Sequence, residues 1–336
     1  MEKDDIIIRQ GIVHILDGEL GYPVLSEQVL SLSPDINDFF RQHIFKIMSG
    51  DDMKKCYFDE DASEVYNLVK NFSEENLVEV SKKMAELLYE IMNSNISIPA
   101  ADFAAVTFQI KGIMHMALLK LNYKESFVHM TQTEEGSNVN SIIKYKSTLP
   151  ASASKLSEAV IINFQDLSVN IIEKRYKVNG EKCNYLSEIY LKCGAAMSSK
   201  SKLDIVTRAV EQINKKHFAE KPVKQMEAKR IIKEEIEEDG TLNVEKISEK
   251  IYGEVPEIKE EFDSKMGKYH MEKAEVKPQS EKTTKKFEKQ YLKTDTGIEI
   301  NIPMEQYQDA NQVEFITNED GTISVLIKNI NRISTR

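Results

Sequence analysis

Residues 103–150 read FAAVTFQIKGIMHMALLKLNYKESFVHMTQTEEGSNVNSIIKYKSTLP, and this stretch decides the fold class. Four runs within it are apolar or alternate apolar with polar residues: AVTFQI, MHMALLKLNY, SFVHMTQTEE and NVNSIIKYKSTLP. Lys111-Gly112 and the EEGS segment at 134–137 are turn signals between runs. The pattern therefore predicts consecutive strands joined by tight turns, which is an antiparallel meander.

The segments before and after this meander predict further strands and packed helices. Ser33-Pro34-Asp35 is a helix start, with Ser as the N-cap, Pro at the first helical position and Asp at the positive end of the dipole. Ser73-Glu74-Glu75 starts a second helix, whose apolar residues recur at helical spacing. Asn179-Gly180 is a strong hairpin signal. The additional strands are predicted at 6–16, 24–32, 159–164 and 168–178, with a turn at 18–23.

The C-terminal half predicts a change from sheet to helix. Asn243 can cap a helix that stops at Gly253, and Pro256 starts the next. Residues 272–289 are polar and Lys-rich, which is typical of a linker or mobile loop. Asp320-Gly321 predicts a last hairpin. The predicted fold class is thus α+β, with an α+β domain containing the antiparallel meander at 1–182, a mainly helical region at 183–273, a Lys-rich linker at 274–293 and a small β unit at 294–336.

Composition bounds the class of protein. The chain has 336 residues, of which 41% are hydrophobic and 30% charged, so two or three folded domains are expected. Its three cysteines, Cys56, Cys183 and Cys193, are odd in number and unrelated in spacing, which suits a reducing cytoplasm. The N-terminus lacks the features of a signal peptide, and no apolar run approaches the ~20 residues that span a bilayer. We expect a cytoplasmic protein that does not enter a membrane.

Charge is unevenly distributed along a chain whose formal net charge is −10. Residues 200–233 contain 10 Lys/Arg against 4 Asp/Glu, a local +6; residues 234–263 contain 12 acids against 3 lysines, a local −9; residues 264–293 contain 9 lysines against 4 acids, a local +5. Solvated helix faces are the common explanation of such alternation. The other explanation is two basic stripes offered to a nucleic acid, with an acidic segment that shields them or faces a partner.

Catalytic and metal-binding signatures are missing from the sequence. It contains no GxxxxGK[ST], GxGxxG or GxSxG motif, and its six histidines form no metal-ligand spacing. His115 and His129 could meet across neighbouring strands, although two partly buried sheet residues are the more common case. Acidic pairs such as Glu234-Glu235 have nothing apolar nearby to raise a pKa. We expect neither an enzyme nor a cofactor or metal site.

The helix pair at 243–253 and 256–267 invites comparison with a helix-turn-helix. The second helix holds Glu257, Glu260, Glu261 and Asp263 against only two lysines. Its net negative charge would be repelled by DNA phosphates. Ordinary helix packing is the better interpretation. The candidate DNA contacts are instead basic residues on the two positive stripes: Lys215, Lys216, Lys229, Arg230, Lys233, Lys282, Lys285, Lys286 and Lys289.

Only Phe218, Phe287 and Tyr291 lie near these basic residues, which favours contact with the nucleic-acid backbone over base stacking. Several stretches together resemble the bacterial nucleoid-associated protein family of the NdpA type. They are GIVHILD at 11–17, DFAAVTFQIKGIMHMALLKLNYKESFVH at 102–129, LPASASKLSEAVIIN at 149–163, DLSVNIIEKRY at 166–176, LKTDTGIEINIP at 292–303 and NEDGTISVLI at 318–327.

The resemblance implies a cytoplasmic protein of the bacterial nucleoid that associates with double-stranded DNA, has no known catalytic activity and forms a homodimer. It supplies no catalytic or DNA-contact residues, so the basic candidates rest on charge alone. Two other hypotheses stay open. The acidic segment 234–263 is compatible with a scaffold recruited to the nucleoid by a DNA-bound protein or DNA enzyme. An undetected nuclease or nucleotide-binding protein would need clustered acids and histidines, which no motif supports.

Overall fold

The chain divides into two structural units, Met1–Ser198 and Ser199–Arg336. The computed structural model describes residues 1–18, 21–134, 136–218, 222–307 and 309–333. Helices and strands both contribute substantially, which confirms the predicted α+β class. Among the described residues, no helix is both long enough and apolar enough to cross a bilayer.

In the described residues of the first unit there are three α-helices and eleven strands. The helices are α1 (Pro34–Met48), α2 (Glu64–Lys70) and α3 (Leu77–Asn93), with 3-10 turns at Lys3–Asp5 and Glu74–Asn76 and a π turn at Leu186–Tyr190. The strands are β1 (Ile6–Leu16), β2 (Lys54–Phe58), β3 (Ala101–Ile110), β4 (Ile113–Asn122), β5 (Lys124–Glu134), β6 (Ser137–Thr148), β7 (Ala159–Asn163), β8 (Val169–Ile172), β9 (Tyr176–Val178), β10 (Glu181–Cys183) and β11 (Cys193–Ala195).

A seven-stranded sheet in the order β1-β3-β4-β7-β8-β2-β11 is the centre of this unit, and all its pairings are antiparallel. Alternate residues of β3 enter two different cores. Phe103 packs with Met84 and Leu88 of α3, whereas Phe108 packs with Phe40 and Ile44 of α1. Both faces of the central strands are therefore buried, which explains why their sequence is a nearly continuous apolar run.

Two predicted turns have the backbone that the sequence requires. Lys111 and Gly112 join β3 to β4 with φ of 50° and 80°. Asn179 and Gly180 join β9 to β10 with φ of 50° and 94°. Positive φ at both central positions is the geometry of a tight hairpin turn that matches strand twist, and glycine adopts it without steric cost.

The second half of the predicted meander leaves the central sheet. Strands β5 and β6 pair with each other in a separate two-stranded ribbon, hereafter the ribbon. The described side chains of the ribbon are exposed or half-buried, including those of Phe127 and Ile142. Residue 135, part of the predicted strand and turn, lies outside the described residues.

The predicted strand at 24–32 is wrong. Only Val24 forms a bridge, to Ile15, and the rest of the segment is irregular. Ser26 shows the physical reason, because its N–H donates to His14 Nδ1 at 3.0 Å and its hydroxyl donates to the Val13 carbonyl at 2.5 Å. Side-chain hydrogen bonds thus replace a strand ladder. Residues 19–20 of the predicted turn lie outside the described residues.

The single strand predicted at 168–178 divides into β8 and β9. Glu173 lies in the interruption with a fully buried side chain. Its carboxylate accepts hydrogen bonds from the N–H and hydroxyl of Ser187 at 3.0 and 2.9 Å and from Lys54 Nζ at 3.0 Å. These contacts anchor the π turn, and they turn the chain out of the sheet at this point.

The second unit is a helical core with small hairpins. Its helices are α4 (Ser199–His217), α5 (Pro222–Asp239), α6 (Val244–Tyr252), α7 (Pro256–Gly267), α8 (Glu281–Thr284) and α9 (Met304–Tyr307), with a 3-10 turn at Lys285–Phe287. Its strands are β12 (Leu242–Asn243), β13 (Glu275–Val276), β14 (Lys289–Lys293), β15 (Glu299–Pro303), β16 (Val313–Thr317) and β17 (Ile323–Ile327).

Local sequence signals define the ends of these elements. Ser33 Oγ accepts from the Ile36 N–H, and Asn243 Oδ1 accepts from the Lys246 N–H, as the predicted N-caps require. The segment interpreted as a linker contains regular elements, and its Phe287 is buried in the helical core. The division into four segments stays a prediction.

Candidate nucleic-acid interface

All nine predicted DNA contacts belong to the second unit. Lys215 and Lys216 lie in the last turn of α4, Lys229, Arg230 and Lys233 lie on α5, Lys282 lies in α8, Lys285 and Lys286 lie in the following 3-10 turn, and Lys289 begins β14. At the end of α4 the lysines also complement the negative end of the helix dipole, a purely structural benefit.

Five of the nine side chains already hold carboxylates. The ion pairs join Lys216 to Glu261 at 2.8 Å, Arg230 to Glu234 at 2.8 Å, Lys233 to Glu237 at 3.4 Å, Lys285 to Glu281 at 3.6 Å and Lys286 to Asp204 at 2.9 Å. Several of these acids come from the negative segment at 234–263. The acidic segment therefore neutralises part of the basic stripes within the same unit.

Glu261 on α7 is the clearest example of this neutralisation. Its Oε2 lies 2.8 Å from Lys216 Nζ and 2.8 Å from His217 Nε2. These hydrogen bonds and the adjacent positive charge lower the pKa of the Glu261 carboxyl to about 2. The carboxylate is therefore ionised at neutral pH. It holds the hydrogen-bond donors of Lys216 and His217 that a phosphate would otherwise contact.

The other four, Lys215, Lys229, Lys282 and Lys289, form no ion pair with any residue that the structure describes. Lys229 Nζ donates to the Lys289 carbonyl at 2.7 Å and lies 5.5 Å from the centre of the Tyr291 ring. Burial lowers the pKa of Lys229, as does the positive charge of Lys286, while Glu211 raises it. Lys229 thus connects α5 to β14 through its hydrogen bond to Lys289. Its positive charge is not neutralised by an ion pair with any described residue.

A cleft of about 720 Å³ lies between α4, α5, the 3-10 turn and β14. Among the described residues that line it, Lys215, Lys229 and Lys286 and one acid, Glu211, give a formal charge of +2. A positive concavity in a chain of net charge −10 is a local reversal of sign. The structure thus brings together three of the nine predicted residues, from the consecutive helices α4 and α5 and from the later 3-10 turn.

Helices α6 and α7 pack as an ordinary helix pair. Ser248 on α6 donates to Asp263 on α7 at 2.5 Å, and Phe262 and Ile247 are buried in the shared core. Acidic Glu257 and Glu260 are exposed. A phosphate-facing role for α7 therefore has no geometric support.

The histidines do not assemble a site. His115 is on β4, whose sheet neighbours are β3 and β7, whereas His129 is on the ribbon, so they do not occupy neighbouring strands. The His115 Nδ1 atom lies 3.0 Å from the Ile113 carbonyl oxygen, and burial lowers the His115 pKa. Within the described ranges no group of three or more His, Cys, Asp or Glu residues could hold a metal ion.

The first unit also contains a buried polar network that the sequence motifs do not predict. Lys120 and Glu158 are 3% and 0% exposed, with 3.4 Å between Lys120 Nζ and Glu158 Oε2. Tyr185 and Tyr176 donate to the same carboxylate at 2.5 and 3.0 Å, and Asn122 donates to it at 2.8 Å. A lysine inside the apolar run MALLKLNY was the available signal. Because Lys120 also donates to the Pro99 carbonyl and the Asn122 amide oxygen, each charged group of the network has hydrogen-bond partners, and its role is structural.

The fold and the site define the class of protein: an α+β chain built on an antiparallel sheet, with a second unit that presents lysines around a cleft. The family model for the nucleoid-associated protein YejK matches residues 12–333, nearly the whole chain. The chain therefore belongs to this family of nucleoid-associated proteins, which is not an enzyme family, and the resemblance seen in the sequence motifs is confirmed. A search of curated proteins found no match.

Proposed function

We propose that this protein binds double-stranded DNA directly and without strong sequence specificity, in the cytoplasm at the nucleoid. The observation that carries the proposal is that Lys215 and Lys229 line the positive cleft without an ion pair to any described residue. Lys289, whose carbonyl accepts a hydrogen bond from Lys229, and Lys282 also form none with described residues. The five ion-paired basic residues join them as secondary contacts, once DNA displaces their carboxylates.

Phosphate contact is the favoured mode of recognition. Lysine is a compact point charge that attracts phosphates without reading bases. The helix pair α6 and α7, which the sequence compares with a helix-turn-helix, presents the acids Glu257 and Glu260 on α7. Counterion release from the DNA would supply most of the affinity, so binding should weaken linearly on a logarithmic salt scale.

The experiment is a salt titration of the full chain with a random-sequence duplex, followed by fluorescence anisotropy of labelled DNA. Direct phosphate contact predicts an affinity that falls steeply with salt and is equal for two unrelated sequences. The slope of log affinity against log salt gives the number of neutralised phosphates, about 0.9 per contact. Absence of binding at low salt would contradict the proposal.

Homodimer formation is the second part of the proposal, and the ribbon supports it. A two-stranded sheet alone is marginally stable in water, so the ribbon needs a cover. Phe127 is 71% exposed and Ile142 is 76% exposed, and they lie on adjacent cross-strand positions of one face. Tyr145 is 52% exposed on the opposite face.

A second copy of this chain is the occupant that fits the ribbon's charge. Residues 124–148 contain three lysines and three glutamates, a net charge of zero, in a chain of net charge −10. Two copies repel each other least where each is neutral, and DNA gains little from a neutral surface. A two-fold arrangement would cover the same exposed side chains on both copies.

A role as a scaffold is the alternative, favoured by the acidic surface of α7. Glu257 and Glu260 are exposed and form no ion pair among the described residues. A basic surface on a DNA-bound protein could dock there. A pull-down from nuclease-treated lysate separates the two functions, because a protein partner survives DNA removal whereas DNA-mediated partners are lost.

A further inference from the structure

We propose that the cleft between α4, α5 and β14 binds a nucleotide unit, that is, a phosphate beside an exposed planar base. Such a unit occurs in a free nucleotide and in single-stranded nucleic acid. This goes beyond the proposed duplex binding, because a duplex presents phosphates but hides the faces of its bases.

The three lysines that line the cleft suit the phosphate. Lys215 and Lys229 line the cleft without ion pairs to described residues, and Lys286 lines it while holding Asp204. Lys229 and Lys286 are close enough for their like charges to repel, which contributes to the lowered pKa of Lys229. An anion placed between them would relieve this repulsion and be attracted by all three ammonium groups.

The aromatic half suits the base. Tyr291 lines the cleft and is 67% exposed, while Phe287 lines it as a buried wall. Exposed aromatic rings in positive grooves stack bases at a gain of about 1–3 kcal/mol per base. Since Lys229 Nζ lies 5.5 Å from the Tyr291 ring centre, one ligand with an anion next to a flat ring can contact both.

Size and polar groups agree with a single nucleotide. The volume of about 720 Å³ falls within the usual range of roughly 300–1,000 Å³ for small-ligand sites. Asn214 and Gln290 are buried amides in the lining. Asn214 Oδ1 accepts a hydrogen bond from the Tyr252 hydroxyl at 3.0 Å, and Gln290 Nε2 donates to the Met226 carbonyl at 3.0 Å. Fixed amides of this kind give directional hydrogen bonds to a base edge.

The test is isothermal titration calorimetry of the full chain with AMP, adenosine and inorganic phosphate. The proposal predicts that AMP binds at least tenfold more tightly than either fragment. Tyr291→Ala should weaken AMP binding about tenfold and leave phosphate binding unchanged, since stacking is lost and the charges stay. Lys215→Gln should weaken both AMP and phosphate.

Tyr269→Ala is the matched control, because Tyr269 is 50% exposed in the same unit and does not line the cleft. Thermal melting of each variant checks that the fold is retained. Equal affinity for AMP and phosphate, no binding of AMP, or equal effects of Tyr291→Ala and Tyr269→Ala would each overturn the proposal.

A short 5′-phosphorylated oligothymidylate distinguishes the source of the ligand. If it binds more tightly than the mononucleotide TMP and competes with AMP, the natural ligand is a single strand; if TMP and AMP bind more tightly, it is a free nucleotide. Both results support the nucleotide site. Duplex affinity is measured in parallel, so loss of duplex binding contradicts the proposed function alone.

Discussion

A lysine in an ion pair with a carboxylate attracts a phosphate less strongly than an unpaired lysine does. The phosphate must either displace the carboxylate or be repelled by its negative charge. This separates Lys215, Lys229, Lys282 and Lys289 from the other five predicted contacts. The distinction depends on tertiary placement of acids such as Asp204, 82 residues from its partner Lys286. Charge counts along the sequence therefore locate the basic stripes but cannot rank their members.

Removing one shielding acid should strengthen DNA binding. Glu261→Gln frees Lys216 and His217, and we expect duplex affinity at low salt to rise about two- to fivefold, the effect of a surface charge pair. Fluorescence anisotropy measures the change. Glu257→Gln is the control, because it removes an equal charge from the same helix without freeing a cation. Equal gains for the two variants would show that Glu261 acts only through net charge.

Breaking the buried network should cost far more stability than breaking a surface pair. Glu158→Gln leaves the ammonium of Lys120 buried without its counter-charge, so we expect the free energy of unfolding to fall by about 3–5 kcal/mol. Glu79→Gln, which breaks an exposed pair with Lys83, should cost far less because solvent screens that pair. Urea denaturation compares them, and similar losses would contradict the structural role assigned to Glu158.

His14 should make stability fall as the solution is acidified. Its Nδ1 accepts the Ser26 N–H, so the proton lies on Nε2, which faces Ser81 Oγ at 3.0 Å. Burial, with a further contribution from Lys82, lowers the His14 pKa from 6.5 to about 4. Below pH 6.5 the unfolded chain takes up a proton that the folded chain refuses until pH 4, so stability is lost across this window.

The expected loss is at most about 2 kcal/mol at pH 5 relative to pH 7, from linkage of the two pKa values. Denaturation of the wild type and of His14→Gln at both pH values measures it. Burial also lowers the pKa of His43 and His115, so part of the pH dependence remains in the variant. An unchanged pH dependence in the variant would rule out His14 as a contributor.

At the scale of elements, the sequence predicts strands best where both periodicity and turn chemistry agree. Lys111-Gly112 and Asn179-Gly180 correctly predict two hairpin turns. Each turn needs a positive φ at its glycine, which few other residues adopt. The segment 24–32 has strand-like composition, yet its Ser26 donates hydrogen bonds to the His14 side chain and to the Val13 carbonyl. These partners lie 12 and 13 residues before Ser26, outside the window of a strand pattern, so hydrophobic periodicity does not reveal them.

The ribbon makes its own prediction at this scale. Phe127→Ser with Ile142→Ser should shift the chain from dimer to monomer, because both side chains are exposed on one face of a single copy. Light scattering coupled to size exclusion, across a range of concentrations, measures the mass. Ile96→Ser is the control, an exposed apolar residue elsewhere in the first unit.

A monomeric wild type at every concentration would contradict the homodimer. A double-serine variant that stays dimeric would move the interface away from the ribbon. The unfolding transition of the variant should match that of the wild type measured at concentrations where the latter is monomeric, because neither side chain belongs to a described core.

At the scale of the whole molecule, the sequence predicts the class and the family, while the structure is needed for the site. The α+β class follows from hydrophobic periodicity, and the family from motifs between residues 11 and 327. The cleft joins Lys215, Lys229 and Lys286 from three elements, so it exists only after folding. Its charge reversal is invisible in the net charge of −10.

The measurement that tests the central claim most directly is the salt dependence of duplex binding for two double variants of equal charge change. Lys215→Gln/Lys289→Gln removes two basic residues that form no ion pair with the part of the chain that the structure describes. Lys177→Gln/Lys182→Gln removes two exposed cross-strand lysines of the first unit. Removing two phosphate contacts should reduce the magnitude of the slope of log affinity against log salt by about 1.8.

We predict that the first variant shows this reduced slope and a lower affinity at every salt concentration, while the second keeps the wild-type slope. Equal behaviour of the two variants would contradict the account, because net charge alone would then explain the binding and the lysines around the cleft would have no special part in it.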